Sequence, residues 1–196
     1  MIHLTKRQKE IIVSGLSIIA DRGIQSLSIR NVANRVGISE PAIYRHFENK
    51  NDLLLHITHY IIDDWENVIR QNWNVDIPAL DELGLIMREV VHSFAEDENV
   101  AAASYSLLLL QKDKPILQKI QSVIELAIVR TDGILEKGQE AGEVRNGIPA
   151  RELAMIIFGA LRLLIERWNL SSNSFDIKAE WDLLWFALKK MIGARQ

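Results

Sequence analysis

Side chains that can bind a nucleic acid are concentrated between residues 39 and 50. Tyr44, His46 and Lys50 carry groups that can contact phosphate oxygens. Glu40, Ala42 and Arg45 are suited to contact base edges in a groove. These side chains can act together only if a rigid element holds them on one outward face.

The surrounding sequence predicts two short helices joined by a tight turn. Ser28 is a favourable N-cap for the first helix, whose apolar residues recur at helical spacing. Gly37 follows, where glycine most easily adopts a left-handed backbone conformation. Ser39 is expected to cap the second helix, and Pro41 lies in its first turn, where a missing N–H costs nothing.

Two helices with this spacing form a helix-turn-helix. Ala33 is small enough for the second helix to cross close to it, and Ile43 closes the core between the helices. The outer face of the second helix is then free to enter the major groove of DNA. The predicted DNA-binding residues are Ser28, Arg30, Ser39, Glu40, Pro41, Ala42, Tyr44, Arg45, His46 and Lys50.

The sequence from about Thr5 to Leu55 resembles the TetR family of bacterial transcriptional regulators. The resemblance rests on Ile29-Arg30-Asn31-Val32-Ala33, Val36-Gly37-Ile38-Ser39 and Ala42-Ile43-Tyr44-Arg45-His46-Phe47, followed by Lys50 and Leu53. It implies a dimeric regulator, most often a repressor, that binds a double-stranded DNA operator and responds to a small-molecule effector. The rest of the chain matches the family only in length and helical character.

Helical spacing of apolar residues continues to the end of the chain, and no stretch indicates a strand. We therefore expect an all-α protein of about nine helices. Residues 1–50 would form the helix-turn-helix DNA-binding domain, with three helices, and residues 51–196 a larger regulatory and dimerisation domain. Asn49 is expected to cap a long fourth helix that connects the two.

The charge distribution is consistent with this division. Residues 1–50 contain eight Lys/Arg and four Asp/Glu, whereas residues 51–196 contain fifteen and twenty-two. A basic head would attract phosphates, which an acidic body would repel. The chain has no cysteine, and its longest apolar stretch is shorter than the ~20 residues that cross a bilayer. We expect a soluble, cytoplasmic, nucleoid-associated protein with no membrane partner.

The helix predicted from about Pro149 to Asn169 is apolar on two sides, whereas a surface helix needs one apolar stripe of ~100°. A second copy of the chain would cover the other side in a four-helix interface, and the family resemblance implies the same. The alternative is that the chain itself wraps this helix completely. The predicted interface residues are Phe158, Leu161, Arg162, Ile165, Trp181, Leu184, Trp185 and Leu188.

The resemblance also implies a small-molecule cavity among helices 4 to 7. The candidate lining residues are Trp65, Met87, Val91, Phe94, Tyr105, Leu108 and Leu109. Their apolar character favours a hydrophobic effector, although each of them equally fits an ordinary core.

The sequence contains no recognisable catalytic pattern, so we do not expect an enzyme. His56, His59 and Asp63 have the spacing to share a helix face and bind a metal, but the lack of a fourth ligand nearby favours chance spacing. We expect neither a metal nor a cofactor. The competing interpretation is a DNA-bound structural or partner-recruiting protein of the same fold, which has no effector and docks other proteins through its acidic body.

Overall fold

The computed structural model describes residues 4–70, 77–107 and 114–194, with Asp64 and residues 105–107 described by their backbone alone. Across these residues the fold is all-α, which confirms the prediction from the sequence. A 3₁₀ turn, Ile24–Ser26, follows the first helix. The nine α-helices of the described residues are α1 Lys6–Arg22, α2 Ile29–Val36, α3 Glu40–Tyr44, α4 Lys50–Arg70, α5 Ala79–Glu96, α6 Glu98–Leu107, α7 Lys114–Glu140, α8 Ala150–Leu170 and α9 Ile177–Ile192.

The chain divides into two compact units, residues 1–64 with 97–121, and residues 65–96 with 122–196. The division falls within α4 and α7, because each of these helices contributes residues to both units. The sequence suggested a boundary at residue 50, between a DNA-binding domain and a regulatory domain. That boundary separates functions and not compact units, and it stays a prediction.

The first unit is assembled around α1, which packs against α2, the 3₁₀ turn and α6. Thr5 begins α1 with a capping box, because its hydroxyl accepts from the Gln8 N–H while the Gln8 side chain accepts from the Thr5 N–H. One continuous core therefore supports α1 to α4. Its buried residues include Ile11, Ile12, Leu16, Ile19, Leu27, Val32, Ile43, Phe47, Leu53, Ile57 and Ile61.

In the second unit, α9 packs against both α5 and α8. Gly84 allows α5 to approach α9 closely. A Cβ at residue 84 would lie 2.6 Å from Nε1 of Trp185, which is too close for a side chain. Trp181 stacks on Trp185 with ring centroids 5.9 Å apart. One face of α9 is therefore covered by its own chain.

The C-terminal end of α9 is tied to the loop that follows α7. The Arg145 N–H donates to the Ile192 carbonyl at 2.9 Å, and the Ala194 N–H donates to the Glu143 carbonyl at 2.9 Å. The resulting bridge between Val144 and Gly193 is the only strand-like pairing in the described ranges. None of the helices described is long and apolar enough to cross a membrane.

The second helix of the helix-turn-helix differs in detail from the prediction. The Ser39 side chain forms no capping hydrogen bond. Pro41 has no N–H to donate, and the Ala42 N–H already bonds the Ser39 backbone carbonyl at 2.9 Å, so the hydroxyl has no free donor to cap. The helix also ends at Tyr44, and Arg45 and His46 lie in the turn that follows it.

Candidate nucleic-acid interface

The turn between α2 and α3 has the geometry that the sequence predicted. The Ser28 hydroxyl accepts from the Asn31 N–H at 3.1 Å and caps α2. Gly37 adopts the left-handed conformation with φ 75° and ψ 35°. The N–H groups of Gly37 and Ile38 both donate to the Ala33 carbonyl, at 2.9 and 3.0 Å, so the end of α2 is closed as the chain reverses.

A small core behind α3 holds this helix in place. Val32, Ala33 and Ile43 are buried where α2 and α3 meet, and Phe47 is buried just after α3. Because the apolar residues of α3 face inward, its polar side chains are directed to the surface.

Most of the predicted DNA-binding residues are exposed. Tyr44 is 52% exposed, which is a high value for an aromatic side chain next to a core. Ser28, Ala42 and His46 are half-buried. The exposed members of the set are Arg30, Ser39, Glu40, Pro41, Tyr44, Arg45 and Lys50.

Three cations of the set are available to bind phosphates or bases. Arg30, Arg45 and Lys50 form no ion pair in the part of the chain that the structure describes. Arg35, also exposed on α2, is instead paired with Asp21 at 2.8 Å. The available positive charge therefore lies at the start of α2, after α3 and at the start of α4.

The start of α4 is held by three side chains. The Asn49 carbonyl oxygen Oδ1 accepts from the N–H groups of Asn51 and Asp52, at 2.8 and 3.0 Å, which confirms the predicted cap. The Asp52 carboxylate accepts from the Glu48 N–H at 2.9 Å. His56 Nδ1 lies 3.3 Å from the same carboxylate. These contacts order the backbone beside Lys50, so its position relative to α3 is well defined.

Other basic residues near the N-terminus have partners. Arg7 pairs with Glu10 at 2.8 Å, and Lys9 lies over the Tyr60 ring at 5.9 Å from its centroid. Lys6 is exposed.

Four of the seven candidate effector-binding residues fall in the second unit. Met87, Val91 and Phe94 are buried on one side of α5, and the Trp65 ring packs on Phe94 with centroids 4.7 Å apart. The other three candidates cannot be placed, since the Tyr105 side chain, Leu108 and Leu109 lie outside the described residues.

The predicted dimer residues separate into two groups. Phe158, Ile165 and Leu184 are half-buried, and Arg162 is exposed and pairs with Glu166. The remaining four are buried within the single chain, and they are Leu161, Trp181, Trp185 and Leu188. Periodicity did identify two apolar stripes on α8, but it could not indicate which one the chain itself covers.

A different apolar surface is open on α8 and α9. Its residues are 47–68% exposed, and they recur at helical spacing on each helix. We call this surface the α8–α9 face. It consists of Met155, Ile156 and Leu163 on α8 with Leu183, Phe186 and Met191 on α9. The sequence signal for it was present, since Ile156, Leu163, Leu183 and Phe186 belong to the second apolar stripes of their helices.

The histidines of α4 are candidate metal ligands because of their spacing. The described residues contain no group of three or more His, Cys, Asp or Glu side chains that could hold a metal ion. Burial of the His59 ring, helped by the nearby Lys119 ammonium, lowers the pKa of His59 below its ordinary value. His59 therefore favours its neutral form at pH 7.

These features define a helix-turn-helix DNA-binding protein with a helical body. A family model described as bacterial regulatory proteins, tetR family, matches residues 11–57. A second model, described as YsiA-like protein, C-terminal region, matches residues 61–188. The chain belongs to the TetR family of transcriptional regulators.

Relatives with full-length similarity include regulators of fatty acid metabolism. The fatty acid metabolism regulator protein of Bacillus subtilis (strain 168) is 26% identical over 176 residues, covering 89% of this chain and 90% of that protein. The fatty acid degradation regulator FadR from Bacillus halodurans has a similar fold, with a TM-score of 0.83 at 21% identity over 96% of this chain and 97% of that one. FadR from Bacillus subtilis in complex with stearoyl-CoA has a TM-score of 0.72 at 24% identity, covering 93% and 96% of the two chains.

Proposed function

We propose that this chain is a homodimeric transcriptional repressor that leaves its operator when an acyl-CoA binds in its helical body. The observation that carries the proposal is the exposed outer side of α3, together with Arg30, Arg45 and Lys50, which are exposed and form no ion pair with another described residue. A protein of this kind acts on DNA in the cytoplasm and needs no catalytic activity. This extends the family assignment to a mechanism.

Within the proposal, α3 enters the major groove and its side chains have two roles. Glu40, Ala42 and Arg45 contact bases and provide sequence preference. Tyr44, His46 and Lys50 contact the DNA backbone, and Ser28, Arg30, Ser39 and Pro41 line the same surface. Lys50 lies in the first turn of α4, where the helix dipole also favours a phosphate.

The dimer is proposed to form through the α8–α9 face. An exposed apolar face of this kind marks an interaction site, because a monomeric protein rarely leaves such a surface in water. Gly159 is exposed between Met155 and Leu163, and its lack of a side chain allows a partner helix to approach. A dimer supplies two α3 helices, one for each half-site of a two-fold symmetric operator.

The acyl-CoA assignment is supported by the relatives and by the chemistry of α5. A relative with similarity along its whole length is named a fatty acid metabolism regulator, and FadR from Bacillus subtilis was determined with stearoyl-CoA. The buried side of α5 is apolar at Met87, Val91 and Phe94, which suits an alkyl chain. α4 contains both Lys50 and Trp65, so a ligand that shifts the end of α4 near Trp65 can change DNA binding at Lys50.

The test measures DNA binding first and ligand release second. The purified chain is titrated with fluorescent genomic DNA fragments, selected by repeated binding, and stearoyl-CoA is then added to the complex. We expect specific binding at nanomolar protein and release by stearoyl-CoA but not by CoA alone. Failure to bind any duplex at low salt would refute the proposal. Binding without release by acyl-CoAs of any chain length would instead favour the structural or partner-recruiting protein, whose acidic body docks other proteins.

A further inference from the structure

The indole N–H of Trp65 is a buried donor without an acceptor. Its Nε1 atom is shielded from solvent and makes no hydrogen bond within the described part of the molecule. Trp168, in contrast, donates from Nε1 to the Phe175 carbonyl at 3.0 Å. Two tryptophans of the same unit thus differ in whether folding supplies an acceptor.

An unpaired buried donor is unfavourable, because it has lost its hydrogen bond to water and gained none. The large majority of buried polar side-chain atoms in folded proteins do have a partner, so each exception requires a reason. At Trp65 the desolvation has already occurred on folding. A ligand that brings an acceptor to Nε1 therefore gains the hydrogen bond without a further desolvation of the indole, and the donor is preorganised for it.

The surroundings of Trp65 limit the kind of acceptor. Its ring packs on Phe94 at 4.7 Å between centroids, and Met87 and Val91 are buried on the same side of α5. An ionised carboxylate would lose its hydration in such apolar surroundings, which is strongly unfavourable. A neutral carbonyl on an alkyl chain satisfies both the donor and the apolar side chains.

We propose that Trp65 Nε1 donates a hydrogen bond to the thioester carbonyl oxygen of the bound acyl-CoA. Trp65 would then determine specificity, because it distinguishes an acyl thioester from a molecule with the same chain and no carbonyl. This inference rests on the proposed function, since it assigns one contact within the effector site. Without this hydrogen bond, the site would select ligands only by the length and apolar surface of their alkyl chain. The hydrogen bond adds selection for the carbonyl group.

The experiment compares two ligands on two proteins. Stearoyl-CoA carries the carbonyl, and S-octadecyl-CoA, the corresponding thioether, has a methylene in its place. Affinities are measured by equilibrium dialysis with radiolabelled ligand below the concentration at which micelles form. For the unaltered chain we expect stearoyl-CoA to bind about tenfold more tightly than the thioether. Trp65→Phe keeps the apolar ring and removes the N–H, and we expect it to abolish this preference.

Two further measurements separate the hydrogen bond from packing. Trp168→Phe also removes an indole N–H, but one that bonds its own chain, so it should leave the tenfold preference intact. The indole proton of Trp65, identified in NMR spectra by its loss in Trp65→Phe, should move downfield with stearoyl-CoA and not with the thioether.

The outcomes also distinguish this inference from the proposed function. If stearoyl-CoA releases the operator and Trp65→Phe weakens both ligands equally or neither, the contact at Trp65 is refuted and the acyl-CoA response stands. If the unaltered chain binds neither ligand, the acyl-CoA assignment and the contact fail together, while DNA binding is unaffected.

Discussion

Gly37 is the position where the backbone requirement of the helix-turn-helix can be measured most directly. Its φ of 75° is strained for a residue with a Cβ, yet a Cβ built there meets no atom within 4 Å. The effect of Gly37→Ala is therefore conformational and not steric. Left-handed backbone costs an L-residue about 1–2 kcal/mol, and replacing glycine by alanine recovers about 0.4–1 kcal/mol by restricting the unfolded chain.

Gly147 provides the matched control. A Cβ there also meets nothing within 4 Å, but its φ lies outside the left-handed region. Gly147→Ala should therefore show only the favourable effect on the unfolded chain. The difference in unfolding free energy between the two variants isolates the strain at residue 37, and we expect it to be about 1–2 kcal/mol.

The assay is urea unfolding followed by far-UV circular dichroism at one protein concentration, since the proposed dimerisation would make stability depend on concentration. Gly37→Ala should have the lower midpoint at an unchanged slope. Gly37→Asn should fall between Gly37→Ala and the unaltered chain, because asparagine adopts this conformation more readily. Equal midpoints for Gly37→Ala and Gly147→Ala would refute the reasoning, and would mean that the turn does not depend on a left-handed residue.

Three further predictions concern the proposed DNA and dimer surfaces. Arg45→Ala should change which operator bases are preferred in a selection from random duplexes; a uniform loss over all sequences would show that Arg45 contacts only phosphate. Lys50→Ala should reduce the slope of log affinity against log salt concentration by about 0.9, the value for one phosphate contact. The control is Arg35→Ala, which should change the slope less because the Arg35 cation is paired with Asp21. Equal slopes for both variants would remove Lys50 from the contact set. Phe186→Asp should convert the dimer to a monomer in sedimentation equilibrium. The control is Val13→Asp, at an exposed apolar residue of α1, which should leave the protein dimeric. A Phe186→Asp chain that still dimerises would exclude the α8–α9 face as the dimer interface.

The helix-turn-helix could be predicted from sequence because its determinants are local. The Ser28 cap, the left-handed Gly37 and the Asn49 cap each depend on residues within four positions along the chain. Ser39 does occupy the N-cap position of α3, but its side chain makes no capping hydrogen bond, for a reason that is also local. Pro41 and the Ser39 backbone carbonyl leave no free N–H for the hydroxyl.

Which apolar side of α8 and α9 faces outward could not be predicted, because it depends on residues far apart in the sequence. Apolar spacing indicates that α8 and α9 each have two apolar sides, but not which side meets α5. In the structure, Trp185 lies against Gly84, about a hundred positions earlier, and this packing buries one side of α9. The opposite side, with Leu183 and Phe186, is then the one left exposed.

By itself, therefore, the sequence determined the helix-turn-helix of the head, with its caps at Ser28 and Asn49 and its left-handed turn at Gly37, because short-range hydrogen bonds and helical periodicity decide these features. Only the tertiary structure decided which apolar residues are core and which are surface. It also decided that Nε1 of Trp65 is shielded from solvent without an acceptor among the described residues, while Nε1 of Trp168 finds one. Burial is a property of what packs against a residue, and those neighbours come from distant parts of the chain.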